Sequence, residues 1–193
     1  MKIHYVAPHF FPDIGGVEEH LTRLASYMVG KGHEVTVHTS RVSTSGRIMP
    51  PQEDLEGILI RRYTPRLRLG YYATLFRPVI GEADLLHTHG YAFLPNDLSV
   101  RRYSGRMGTV MTMHHGVRMT PPSFRGRLLK RMYDIYGTGT LKRADRVLTS
   151  SEADREWLVE RRLTPGKIDV VPDGVDEEAF QPGDASLASR RGL

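Results

Sequence analysis

The 193-residue chain contains no cysteine. That removes disulfide staples, thiolate zinc sites and cysteine nucleophiles together, and it makes a cytoplasmic location the expectation. Long apolar runs are missing too, because charges or breakers interrupt every one well short of the roughly 18 residues that cross a bilayer. No signal peptide is legible in Met1–Ala7, which is short and runs into Pro8, His9 and Pro12. Several catalytic fingerprints are absent as well. There is no GxGxxG, and Thr39-Ser40-Arg41 stands where a ribose-binding carboxylate would end the second strand, so a nicotinamide dehydrogenase is disfavoured. Without GxxxxGK[ST] or GxSxG, a P-loop enzyme and a serine hydrolase lose their signatures.

Acids are absent from two long stretches. Between Glu56 and Glu82 stand Arg61, Arg62, Arg66, Arg68 and Arg77 with no carboxylate. Between Asp97 and Asp134 stand Arg101, Arg102, Arg106, Arg118, Arg125, Arg127, Lys130 and Arg131, again with none. Such asymmetry fits either an anionic partner or an arginine-rich solvated surface.

What is present is a hydrophobic fraction of 39%, ordinary for a globular domain, arranged in a strand–helix alternation. Lys2–Ala7 reads as a strand. Val17, Leu21, Leu24, Ala25, Met28 and Val29 form one helical stripe, with Glu18 and Glu19 at its positive end and Gly30-Lys31-Gly32 as its stop. His33–Thr39 is the next strand, which completes a βαβ unit and implies a parallel sheet. Strands follow at Ile58–Tyr63, Asp84–His89, Thr109–His114, Arg146–Ser150 and Lys167–Val171. Ser43–Glu56 reads as a loop and Leu69–Phe76 as a short helix at best. Asn96 or Asp97 caps a helix to about Tyr103. Phe124–Leu141 is an amphipathic helix whose Leu128, Leu129, Met132, Tyr133, Ile135 and Tyr136 side is expected to face the sheet, with Arg127, Lys130 and Arg131 solvated behind. Ser151-Glu152-Ala153-Asp154 resembles a capping box that opens a helix to Arg162. The expected fold class is α/β, a Rossmann-like doubly wound, mainly parallel sheet of about seven strands with its ligand at their carboxyl ends.

That edge gathers Gly15-Gly16 before the first helix, His87 and His89 on one strand face, and His114 and His115 after a later strand. Adjacent glycines ahead of a helix let an anion approach the backbone N–H groups, although a plain tight turn uses the same residues. The histidines are expected to contact substrate rather than a metal, because strand geometry alone does not bring three ligands together. A metal-dependent hydrolase is therefore the weaker reading.

Pro12-Asp13-Ile14-Gly15-Gly16-Val17-Glu18, with Leu24-Ala25 and Gly32-His33-Glu34-Val35, resembles the start of retaining glycosyltransferases of the GT-B fold, family 4. Asp84-Leu85-Leu86-His87-Thr88-His89-Gly90 and Thr112-Met113-His114-His115-Gly116 resemble that family's fourth- and fifth-strand motifs. The run from Ala144 to Ser151, then Lys167-Ile168 and Val171 to Asp176 with Phe180 and Pro182, resembles its approach to the interdomain linker. The resemblance implies a Rossmann-like acceptor-side domain over residues 1–180. Residues 181–193 would begin the linker to a donor-binding domain whose glutamate-rich motif has no counterpart here. It implies that Gly15 and Gly16 meet the donor diphosphate, that His114 is the catalytic histidine beside the transferred sugar, and that Glu18, His87, His89 and His115 bind sugar or acceptor. Glu18 also fits a helix-dipole carboxylate. Asp173 replaces the family's usual asparagine and carries no role.

The function implied is the acceptor-binding half of a nucleotide-sugar-dependent retaining transferase, inactive without its other half. A nucleotide-diphosphate sugar would be the donor, a sugar or lipid-linked molecule the acceptor, and no metal or other cofactor is required. Peripheral contact with an anionic membrane at its inner face fits the basic stretches. A non-catalytic basic module binding membrane or nucleic acid is the alternative. Nucleic acid is disfavoured, because the aromatic residues form no stacking pattern.

Overall fold

A computed structural model describes residues 1–69, 73–114, 122–172 and 174. In chain order the elements are β1 (Lys2–Val6), α1 (Gly16–Gly30), β2 (Glu34–Ser40), β3 (Gln52–Leu55), β4 (Ile58–Tyr63), β5 (Leu67–Leu69), β6 (Ala73–Leu75) and β7 (Leu85–His89). Then come α2 (Leu94–Tyr103), β8 (Gly108–Met113), α3 (Phe124–Leu141), β9 (Arg146–Thr149), α4 (Glu152–Glu160), a single 3₁₀ turn at Pro165–Lys167, and β10 (Ile168–Val170). Eight strands make one sheet in the order β10-β9-β8-β7-β1-β2-β4-β3, while β5 and β6 pair separately. Every neighbour in the large sheet is parallel except β3 with β4. The α/β, Rossmann-like, doubly wound reading therefore holds.

Period-two alternation divides the core between the two sheet faces. Ile3 and Tyr5 of β1 pack with Leu21, Ala25, Val35, Val37, Ile58 and Ile60 beneath α1. Val6, one residue on, joins Leu86, Ile80 and Tyr103 on the opposite face. That second face continues through Val100, Met111, Met113, Leu141, Val147, Trp157 and Leu158 under α2, the end of α3, and α4. At its C-terminus α1 closes as a glycine stop should. Gly32 has φ of +81°, its N–H bonds Val29 O, and the His33 N–H bonds Met28 O, which satisfies the terminal carbonyls. Ser151 caps α4 by accepting from Asp154 N at 3.2 Å, as its sequence suggests.

Four expectations are corrected. Ser43–Glu56 is not all loop: β3 pairs antiparallel with β4 through the two-residue turn Glu56-Gly57, whose φ values of 51° and 87° suit a hairpin that twists with its strands. Glutamate at the first turn position hides this hairpin from sequence, since asparagine or aspartate is the usual signal there. The proposed helix at Leu69–Phe76 is the β5–β6 pair, with 70–72 outside the described residues. Neither Asn96 nor Asp97 caps α2, which starts earlier, after Phe93, with Pro95 in its first turn.

The fourth correction is the largest. Leu128, Leu129, Met132 and Ile135 of α3 are not in the core; they are 52%, 69%, 62% and 74% exposed. The helix docks instead through Gly137, Thr138, Thr140 and Leu141. Small residues decide this. A side chain at Gly137 would collide with Tyr91 and Tyr133, and Arg101 lies against Gly139, so the close approach occurs at the small end and the bulky arc is turned away.

Candidate active site

At the carboxyl edge of β1, β7 and β8 the N-terminus of α1 meets a group of imidazoles. Gly15 is the N-cap and makes no side-chain cap hydrogen bond. Its φ of −175° is ordinary extended backbone, so torsion does not explain the glycine. Space does: a Cβ there would collide with the Glu18 carboxylate. Glu18 is the third helical residue and is buried, folded back on the cap as a capping-box glutamate is. Gly16, by contrast, has open space where a Cβ would project. The first N–H groups of α1 lack intrahelical acceptors, and among the described residues nothing lies within 4 Å of where a Gly16 side chain would project, an arrangement that favours an anion.

The loop that delivers these glycines is pinned from the β2–β4 side. Arg62 is buried, donating from Nη1 to Glu53 Oε2 at 2.7 Å and from Nη2 to Phe11 O at 2.8 Å. Asp13 accepts from the backbone N and the hydroxyl of Thr44, the latter at 2.7 Å. His9 Nδ1 lies 3.4 Å from the Asp13 carboxylate. Arg62 therefore belongs to an internal pair and not to a free basic surface.

On the sheet side, His87 and His89 point to the α1 face, as their two-residue spacing requires, and their rings lie 4.3 Å apart. Tyr5 packs against both, at 5.4 and 5.6 Å. His87 Nε2 shares a 2.7 Å hydrogen bond with Thr112 Oγ1. His89 Nδ1 shares one of 2.9 Å with His114 Nε2, and the two rings stack. Among the described residues His89 Nε2 is buried without a hydrogen-bond partner. Asn96 fixes the corner after β7 by donating to His89 O at 2.6 Å and Gly90 O at 2.9 Å. Burial, followed by the neighbouring His114 and His20, drives the His87 pKa down to about 3, and burial drives His89 well below its ordinary value. Both are neutral imidazoles at physiological pH.

His114 is half-buried and reaches across to α1, where the His20 ring lies 5.0 Å away. Gly16 is one turn before His20, roughly 6 Å of helix rise, which puts the glycine pair and the fifth-strand histidine at the same carboxyl edge of the sheet. His20 was not named from the sequence, Asn96 was named only as a helix cap, Arg62 only within a basic stretch, and Thr112 only within the fifth-strand motif. His20 was the findable one, since a residue one turn after a crevice glycine returns to the same side of the helix. His115, Asp173 and the 181–193 segment lie outside the described residues.

His20, His89 and His114 bring ligating atoms within 4.8 Å of one another. Tetrahedral zinc needs nitrogens roughly 3.4 Å apart, each with a free lone pair. His89 and His114 spend one nitrogen each on the other, which leaves His89 Nε2 as that ring's nitrogen without a hydrogen-bond partner among the described residues.

The arrangement suits binding an anion at the α1 N-terminus beside neutral imidazoles that donate and accept hydrogen bonds. The family model for Glycosyltransferase Family 4 matches residues 14–179. The chain is 26% identical over 190 residues to GDP-mannose:cellobiosyl-diphosphopolyprenol alpha-mannosyltransferase of Xanthomonas campestris, covering 93% of this chain and 48% of that protein. It is 26% identical over 203 residues to the phosphatidylinositol N-acetylglucosaminyltransferase GPI3 subunit of Saccharomyces cerevisiae, covering 98% and 43%. Among solved structures, sucrose-phosphate synthase of Thermosynechococcus elongatus superposes with a TM-score of 0.72 at 17% identity, over all of this chain and 52% of that one. Anabaena HepE in complex with UDP-glucose gives 0.63 at 13% identity, over 49% of its chain. The chain spans about half the length of the relatives it matches. By this match and by its Rossmann-like GT-B fold, the chain belongs to glycosyltransferase family 4.

Proposed function

We propose that this chain supplies the acceptor-side half of a nucleotide-sugar-dependent retaining glycosyltransferase that transfers a hexose without a metal. The observation that carries the reading is His20, one turn after Gly16 on α1, with its ring 5.0 Å from that of His114. The donor diphosphate would lie against Gly15 and Gly16, where the helix dipole and N–H groups stabilise the negative charge that builds as the sugar–phosphate bond breaks. His114, oriented by His89, hydrogen-bonds the sugar as it takes on oxocarbenium character. His87 and His89 form the neutral wall behind it, with Glu18 holding the cap, and His115 is a further candidate for binding sugar or acceptor. The acceptor hydroxyl attacks the same face, and its proton passes to the departing phosphate oxygen. Residues 1–180 form this half, and 181–193 lead towards the donor-binding half.

Relatives that act on diphosphopolyprenol-linked and phosphatidylinositol substrates support a lipid-linked acceptor. So does α3, whose Phe124, Leu128, Leu129, Met132 and Ile135 are exposed beside Arg125 and Arg131. An exposed apolar stripe edged by arginine suits an anionic bilayer surface, a peripheral contact at the cytoplasmic leaflet. Among the described residues no helix is long and apolar enough to cross a membrane.

Two measurements test the reading. The purified chain is expected to show no sugar transfer alone, and turnover with any activated sugar overturns the division of labour. Weak, saturable binding of a nucleoside diphosphate sugar is expected, lost on Gly16→Asp, which places a negative charge in the open volume. Unchanged binding by that variant removes the donor site from α1.

A further inference from the structure

A second cleft lies away from the crevice. It has a volume of about 530 Å³ and is lined by Arg77, Arg101, Arg102 and Arg106 with Pro78, Leu98, Ser99 and Tyr103, and among the described residues no acid joins them. Its walls are the outer flank of α2, the segment after β6 and the turn that leads into β8. It therefore opens towards the end of the sheet opposite Gly16 and His114.

The side chains are arranged for more than solvation. Arg101 is held in place: its Nε donates to Thr140 Oγ1 at 2.9 Å, its Nη2 donates to Tyr136 O at 2.7 Å, and its guanidinium lies 4.0 Å from the centre of the Tyr136 ring. Arg102 lies over the Tyr103 ring at 5.5 Å. Tyr103 itself is fixed, its hydroxyl accepting from Ile80 N at 3.1 Å. Arg77, Arg102 and Arg106 are exposed, and none is in an ion pair with a carboxylate among the described residues. Arginines in the last turn complement the negative end of a helix, which accounts for Arg101 and Arg102. It does not account for Arg77 or Arg106, which come from outside the helix to the same cleft. Arginine does not shed its proton, so the mutual repulsion of four guanidinium groups cannot be relieved by titration. Counter-charge from a bound anion relieves it, and the planar fork of arginine matches phosphate oxygens two at a time.

We propose that the Arg77–Arg101–Arg102–Arg106 cleft is a binding site for a phosphate or diphosphate group, separate from the donor crevice. The group is borne either by a soluble molecule or by an anionic lipid headgroup.

The test is arginine modification by phenylglyoxal, mapped by mass spectrometry, on the whole chain with pyrophosphate as probe. A parallel arm uses phosphatidylcholine vesicles with and without phosphatidic acid. Protection confined to Arg77, Arg102 and Arg106 by pyrophosphate supports the site with a soluble ligand. Protection there only by phosphatidic acid vesicles supports it with a lipid source. Calorimetric titration then compares Arg102→Ala/Arg106→Ala with Arg23→Ala/Lys31→Ala, which removes the same charge from α1 on the opposite face of the sheet. The first pair is expected to weaken anion binding at this site by about tenfold or more, and the second to leave it unchanged. Absence of protection in both arms overturns the proposal. So does equal weakening by the two variants, which reduces the effect to net charge.

Discussion

Two helices with similar sequence patterns meet opposite fates. α1 lays Leu21 and Ala25 onto the sheet, both fully buried, with Leu24, Met28 and Val29 packed at the margin. α3 carries as broad an apolar stripe and points most of it at solvent. Periodicity reports that a helix has a face; it does not report what covers that face. For α3 the contact is chosen by glycines and threonines, which permit a close approach to α2 that leucines and methionine would prevent. Each large apolar side chain left outside forgoes about 1.5–3 kcal/mol of burial. Retaining several on one arc is the reason to read it as a contact surface.

The largest test of this contrast is acid. The histidines enclosed in the sheet layers, His4 and His38 on one face and His87 and His89 beneath α1, all have lowered pKa values, with burial the first cause in each. The unfolded chain takes up protons near the ordinary value of 6.5, so stability is full above it and is lost as pH falls towards about 3, where His38 and His87 titrate in the fold. By roughly pH 5, His38 and His87 should each cost about 2 kcal/mol. Denaturant unfolding across pH, with proton uptake on unfolding, reads this, and His87→Gln should flatten the profile. Next in size, Leu21→Ala should lose about 2–5 kcal/mol, against within about 0.5 kcal/mol for Leu129→Ala. Equal losses would erase the contrast between the helices. Gly137→Leu should cost about 1–3 kcal/mol by forcing α3 off Tyr91. Smaller still, Gly15→Ala should change unfolding by about 1 kcal/mol or less, because the Glu18 carboxylate can swing away, while weakening donor binding measured by calorimetry.

The parallel core was legible because β1, β2, β4, β7, β8, β9 and β10 are apolar runs bounded by turn residues, and each is found within a residue or two of its expected position. β3 was not, since Gln52–Leu55 is polar at the sheet edge and its turn uses glutamate. At the site, Gly15, Gly16, His87, His89 and His114 were readable from their places at strand ends. His20 was missed although its place one turn after Gly16 made it findable, and Asn96 was read as a helix cap, whereas its amide fixes the corner just before it in the chain, at His89 O and Gly90 O. Arg62 was read as surface charge. Its burial depends on Glu53, in a strand the sequence did not disclose.

The central claim is that the α1 N-terminus and His114 face one ligand volume. Titrating the chain with a UDP-sugar while following its backbone amide and histidine ring resonances by NMR tests it most directly. The account predicts that the Gly16 and Val17 amides and the His114 ring move together along one saturation curve, and that Gly16→Asp abolishes all three shifts. Saturable shifts elsewhere with those three signals unmoved would contradict it.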